Sequence, residues 1–447
     1  MPISQDEFRV QPEDPPPLVS GMLTLSLDPQ GRLAGLLAVP PQVEEPAGQT
    51  AQTPDWNTLF AEAGLNPADF RETQPKWVPL VESDARAAWE GTYPGQPEPK
   101  VSVEAASFRG RPVYFQVVGP WSRPERMQPF QPTTNEKVSE VIVVLVFLII
   151  LTAAAFIARR NWKLGRGDVR GASRLALYGF SVAMLYWVMR ASHVPALAEE
   201  VFLFIRGLQV ALLFGALIWL FYLALEPYVR RWWPHRIISW KRLLSGDFRD
   251  PLVGRDLLVG GLFGVGAALV SYARRPAAGW LGLPPAVPVP ANINTLEGVR
   301  AALGEFFFVG MLLAVYSALL SFFLFFLLRL ILRKGWLAAG VFWLFITVST
   351  GLRGGAITPE QVAFDLAAGG LLGLLLVLAL TRFGLLSLIA AQFFIHLCTN
   401  YPLATDLGAW YADSGLLAVA LALAFAVYGF HTSLAGQPLF RGGFLQE

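Results

Sequence analysis

Apolar and polar positions follow two different patterns that meet near residue 136. Before that point the apolar runs are short. MLTLSLD (22–28) and RLAGLLAVP (32–40) alternate apolar with small or polar residues, and DPQG lies between them. Alternation with period two is the mark of a half-buried strand, so the pair predicts a β-hairpin, with Gly31 where the turn needs a positive φ. PDWNTLFAEAG (54–64) predicts a short helix closed by Gly64, and SDARAAWEG (83–91) a second one, capped by Ser83 and closed by Gly91. VSVEAASF, turning through Arg109 and Gly110 into PVYFQVV, predicts a second hairpin. From residue 138 the alternation gives way to long apolar stretches near 138–158, 174–190, 201–225, 257–273, 304–328, 335–352, 364–381, 383–398 and 411–430. About 30 Å of hydrocarbon at 1.5 Å per residue needs roughly 20 apolar residues, so these read as nine membrane spans. The pair flanking Arg382 is the weakest of the nine, with one bent hairpin as its alternative.

The expected fold is therefore an all-α polytopic membrane bundle of about nine transmembrane helices, preceded by a small α+β extracytoplasmic domain. Residues 1–20 are a Pro-rich lead-in, 21–130 the small module, 138–430 the membrane region and 431–447 a cytoplasmic tail. Composition agrees: 54% of residues are hydrophobic, 15% are charged and mean hydropathy is +0.46. Soluble domains carry about a quarter charged residues. One Cys excludes a disulfide scaffold and a Cys-rich metal site, and four His leave little for zinc. No cofactor or metal is expected, and no nucleic-acid partner. The aromatics of the small module (Trp56, Trp77, Trp89, Tyr114, Phe115) read as core.

Charge sets the orientation. Residues 1–136 hold 18 acidic and 10 basic side chains, and the remainder 15 and 25. With nine spans, the connections on one side carry 18 Lys and Arg, from Arg159 to Arg441, and those on the other carry five: Arg190, Arg274, Arg275, Arg300 and Arg353. Cytoplasmic connections are the basic ones, so the C-terminus is expected inside and the acidic head outside, in a bacterial inner membrane. MPISQDEFRVQPEDPPP has no basic, apolar or cleavage region of a signal peptide. Either the head stays inside against the charge bias, or a helix upstream of Met1 exports it.

Within the membrane region, Gly260 with Gly264 and Gly369 with Gly373 have the spacing of close helix packing. Arg206 falls about two turns inside a span, where it either snorkels outward or pairs with Glu199, Glu200 or Glu305. His396, in FFIHLCTNYP, fits an interhelical hydrogen bond. The stretch EPYVRRWWPHRIISWKRLLSGDFRDPLVGRD (226–256) is the most distinctive text. Ile237, Ile238, Trp240 and Leu244 form an apolar stripe between Pro234 and Gly246. The pattern predicts a helix lying at the surface, with Trp232, Trp233 and Trp240 at headgroup depth and Arg230, Arg231, Arg236, Lys241 and Arg242 toward anionic lipid. It either fixes topology or passes conformational change to a partner.

No Walker-type GK[ST], no HRD and no DFG occur; GDFRD (246–250) has Arg249 where the last would need Gly. No catalytic residue is assigned. Glu199 and Glu200 ahead of Arg206, with His396 four residues before Asn400, resemble a CAAX-processing membrane protease. The Arg is too far from the Glu pair, and the second His motif is missing.

The 226–256 loop, together with LDPQGRLAGLLAVPPQ, SDARAAWEGTYPG, FRGRPVYFQVVGPW and ARRNWKLGRGDVRG, resembles the C-terminal external and multispan portion of bacterial transmembrane serine/threonine protein kinases. In that group a cytoplasmic kinase domain and one helix precede the external domain. The resemblance implies a kinase-less sensor and relay module, whose partner is a kinase domain supplied in cis upstream of Met1 or in trans. The rivals are a transporter or channel, for which polar midplane residues are scarce, and the intramembrane hydrolase. The sequence does not set the oligomeric state.

Overall fold

The computed structural model describes residues 15–28, 30–43, 54–94, 96–124, 126–127, 134–283, 295–351 and 358–436. Most of the expected lead-in and tail, with Arg353 and Arg441, lie outside them. The chain divides between Val138 and Ser139 into two units.

The first unit is a six-stranded antiparallel sheet with one helix. Strands β1 (Leu23–Leu27), β2 (Leu33–Ala38), β3 (Arg71–Thr73), β4 (Ala85–Tyr93), β5 (Gln96–Phe108) and β6 (Arg111–Val118) lie in the order β1-β2-β6-β5-β4-β3. Both expected hairpins form. Gly31 has φ 79°, and Arg109 (φ 53°) with Gly110 (φ 75°) makes a left-handed two-residue turn that suits the twist of the flanking strands. The helix α1 (Trp56–Glu62) is capped by the Asp55 carboxylate, which accepts from the Thr58 amide.

The second expected helix does not form: residues 85–93 are strand β4, paired with β3 on one side and β5 on the other. Ala85–Ala88 have good helix propensity, but two ladders of hydrogen bonds outweigh it. Gly91 closes no helix. It leaves room for the Phe70 ring, which occupies the place a side chain would take.

One face of the sheet packs Trp89, Val101, Val103, Ala105 and Phe115 against Leu59 and Phe60 of α1. Phe60 meets Phe70, Trp89 and Phe115 edge to face at centroid distances of 5.2 to 6.1 Å. Trp56, Trp89 and Phe115 are thus core, as expected. Trp77 and Tyr114 are not, and line a groove on the opposite face.

The second unit is helical: α2 (Thr134–Lys163), α3 (Val169–Arg190), α4 (Leu197–Trp232), α5 (Ile238–Ser245), α6 (Pro251–Trp280), α7 (Val299–Glu305), α8 (Ala314–Leu332), α9 (Gly335–Gly351), α10 (Pro359–Leu378), α11 (Leu385–Thr399) and α12 (Ala412–Ser433). A π-helical stretch, Phe306–Leu313, fuses α7 to α8, and a second one, Ala379–Phe383, ends α10. Each of the nine expected spans corresponds in order to a helical segment. Among the described residues, seven are long and apolar enough to cross a membrane. The other two, α9 with 17 residues and α11 with 15, are shorter than the roughly 20 that a perpendicular crossing needs. The chain is thus a multi-pass membrane protein with seven helices of crossing length. At Arg382 the π turn and Gly384, at φ 106°, separate α10 from α11.

The small-residue pairs pack as their spacing predicts. A Cβ on Gly264 would stand 2.5 Å from the Ala391 carbonyl, and one on Gly260 would collide with that of Ser387, so α6 and α11 touch backbone to backbone. Gly369 makes the same approach to Thr347 between α10 and α9.

Candidate functional site

The connector between α4 and α6 is the most interlocked polar region of the bundle. Helix α4 runs past the expected span end to Trp232 and contains Pro227. Proline has no N–H, so the carbonyl four residues earlier loses its helical partner. Asn161, near the end of α2, supplies the donor. Its amide nitrogen donates to Leu223 O at 3.0 Å and Ala224 O at 3.1 Å, and the side chain is buried.

Glu226, one residue before this proline, is fully buried. The Lys241 ammonium lies 2.7 Å from its Oε1, and Arg230 Nε lies 3.6 Å from the same oxygen. Among the described residues neither carboxylate oxygen has a hydrogen bond of good geometry, so charge alone holds the pair. Lys241 belongs to α5, and the pair therefore ties the connector back onto α4. A second buried carboxylate does the same toward α6: Ser239 Oγ donates to Asp256 Oδ2 at 2.6 Å, while Arg255 holds Oδ1 at 2.8 Å. Arg242 pairs with Asp250, whose other oxygen caps α6 by accepting from Leu252 N.

The aromatic residues complete the grip. Tyr228 and Trp232 pack on Phe326, and Trp233 packs on Phe322 and Phe325, all from α8. Arg236 stacks over the Trp233 ring at 4.9 Å, with Nε and one terminal nitrogen buried and without an acceptor among the described residues. The backbone of Arg236 also presses on Gly384, where a Cβ would collide with it.

The connector thus departs from a surface helix. Pro234–Arg236 is a 3₁₀ turn, and α5 starts at Ile238 and ends at Gly246 with φ 95°. Trp240 is 3% exposed and Ile237 2%, and Leu244 is partly buried against them, so most of the apolar stripe faces the bundle rather than lipid, while Ile238 stays exposed. Trp233 and Arg236 are half-buried, Lys241 and Arg242 are partly covered by their carboxylate partners, and Trp232, Arg230 and Arg231 remain exposed. The amphipathic pattern was legible. The buried carboxylates Glu226 and Asp256, which decide where the apolar face goes, were not singled out; acidic residues flanking a cationic segment were the available signal.

The other flagged residues lie elsewhere. Arg206 is exposed on α4, with no ion pair among the described residues. Glu200 instead meets His193 Nδ1 at 2.6 Å. His396 is half-buried on α11, and no hydrogen bond or ion pair joins it to Glu199 or Glu200 among the described residues. No group of three or more His, Cys, Asp or Glu suited to a metal occurs among them either.

At the end of the bundle away from the connector, Arg190 is buried and paired with Glu297 Oε2 at 2.6 Å, and Arg274 with Asp365 at 2.8 Å. Among the described residues, the buried charges of this unit (Arg190, Glu226, Asp256, Glu305, Asp365) all fall within two turns of a helix end. The middle of the bundle holds no buried charged side chain among the described residues. Comparison with protein-family models, with curated proteins and with solved structures returns no match.

Proposed function

We propose that this chain is a non-catalytic sensor and relay module of a bacterial inner membrane, working with a serine/threonine kinase domain attached in cis or supplied in trans. In this reading nine helical segments cross the bilayer, α9 and α11 included, the head is extracytoplasmic, and the connector and C-terminus are cytoplasmic. The observation that carries it is the grip on residues 233–250. They are held by α4 through Glu226, by α6 through Asp256 and by α8 through its phenylalanines. A change in helix packing moves such a segment, whereas a free surface loop would stay put. Arg230 and Arg231 remain exposed beside it as contacts for anionic headgroups or an acidic partner face.

A transport reading draws less support, because a substrate path asks for polar groups near the midplane. The buried charges described here gather at the two ends. The deciding measurement is kinase activity in membranes with and without the chain, followed by capture of the chain and assay of any co-purifying kinase. Reversing Arg231, which is exposed and leaves the Glu226 pair intact, by Arg231→Glu is expected to remove at least nine-tenths of the chain-dependent phosphorylation while leaving the protein folded. Unchanged phosphorylation in that variant would refute the relay.

A further inference from the structure

The sheet of the first unit covers one face with α1. Among the described residues of this unit, no helix covers the other. Cross-strand register lines up Thr24, Leu37 and Tyr114 in one row of that face, and Ser26, Gly35, Gln116 and Glu104 in the next. With these rows, residues 76–80, 121–124 and 126–127 line a groove of about 1110 Å³, open to solvent. That is the size of a small-molecule site.

Its walls are apolar and uncovered: Val78 is 59% exposed, Leu80 75%, Trp121 64% and Met127 82%. Single exposed apolar residues mean little, but four around one groove mark a surface meant to be covered. The rim is cationic. Arg123 and Arg126 have no carboxylate partner among the described residues, and Arg126 donates to the Val78 carbonyl, which fixes it in the wall. Lys76 is shared with Glu90 at 3.3 Å.

The carboxylate beneath the floor is already occupied. Glu104 is 2% exposed, and its two oxygens accept from the Lys76 amide at 3.1 and 3.2 Å. The Tyr114 hydroxyl donates to Gln116 Oε1 at 2.5 Å. The groove therefore offers hydrocarbon contact and positive charge together, with no free anion in its floor.

We propose that this groove binds an anionic amphiphile: an alkyl or acyl chain lies along Val78, Leu80, Trp121 and Met127, and its phosphate or carboxylate sits on Arg123 and Arg126. A simple anion would leave the walls wet, and a neutral lipid would leave the charge of two guanidinium groups uncompensated. Guanidinium binds either acid group through paired hydrogen bonds. The site stands independently of the relay reading.

The test uses the full chain in phosphatidylcholine nanodiscs, with dodecyl phosphate carrying a photoreactive diazirine at the chain end. Adducts are mapped by mass spectrometry. Labelling is expected in peptides spanning 77–80 and 121–127, and unlabelled dodecyl phosphate should displace it at concentrations at least tenfold below dodecanol or inorganic phosphate. Arg123→Ala with Arg126→Ala should raise the half-saturating concentration about tenfold or more. Leu80→Gln with Met127→Gln, both at exposed positions, should weaken labelling similarly without unfolding the sheet.

Adducts confined to the helices, equal displacement by dodecanol, or displacement by inorganic phosphate alone would each overturn the proposal. Discs containing phosphatidylglycerol distinguish the two sources of this chemistry. Protection there supports a bilayer lipid as occupant, and no protection with dodecyl phosphate still competing supports a soluble amphiphile.

Discussion

Pro227 and Asn161 show how one residue creates a need that another, 66 positions away, meets. Removing the amide by Asn161→Ala should cost about 1–3 kcal/mol, because the buried Leu223 carbonyl loses its donor. In a Pro227→Ala background the helix regains the N–H facing Leu223, and the same substitution should cost much less. Thermal unfolding of the four proteins in one detergent checks this; equal costs in both backgrounds would disprove the compensation. Glu104 makes a second residue-scale case. Burial holds its carboxyl above the ordinary glutamate range, and the amides of Lys76 and Trp77 offset only part of that rise. Folding therefore favours the protonated form. Its stabilising contribution is full below the ordinary glutamate value, about 4.3, and is lost as pH rises through the raised one. In residues 21–130 expressed alone, Glu104→Gln should flatten that decline, read from urea unfolding by tryptophan fluorescence between pH 4 and 7. A difference between the two proteins that stays constant over this range would refute the assignment.

At the scale of elements, the connector tests what a buried ion pair is for. Taking one partner away strands a charge in the interior, a loss of roughly 3–5 kcal/mol, whereas replacing both by apolar groups is often neutral. Lys241→Met alone should destabilise the bundle and make backbone amides of residues 237–245 exchange faster with deuterium. Adding Glu226→Leu should restore most of that protection. Protection that falls further in the double variant would mean that the pair is not what holds α5. The sequence pattern located this element and its Gly246 end, but turned its apolar stripe toward lipid. A stripe alone does not say which apolar medium it meets, and two buried carboxylates on neighbouring helices settled the matter. The misread strand β4 has the same origin: local propensity in ARAA favours helix, and partners distant in sequence supply the strand.

For the molecule as a whole, sidedness is the property most open to direct measurement. Single cysteines placed in a Cys398→Ser background, at Ser20 ahead of β1 and at Ser245 in the connector, should react differently with an impermeant maleimide. Ser20→Cys is expected to label in intact cells, and Ser245→Cys only after permeabilisation. Labelling in the reverse order would overturn the proposed orientation and the sensing role of the head with it. A third cysteine at Ser433, beyond α9 and α11, bears on those helices, since losing one of them as a crossing would move it to the other side.

Helix positions along the bundle, both hairpins of the head and close packing at Gly260 and Gly264 were determined by sequence alone, because length of apolar run, period-two alternation and glycine spacing act locally. Tertiary structure decided the rest: that 85–93 is a strand, that Trp240 faces inward, that Trp77 and Tyr114 line a groove and that Asn161 serves Pro227. Each of these depends on a partner brought close only by folding. Burial and the demand that buried polar groups be satisfied are properties of the assembled molecule, and no window of residues carries them.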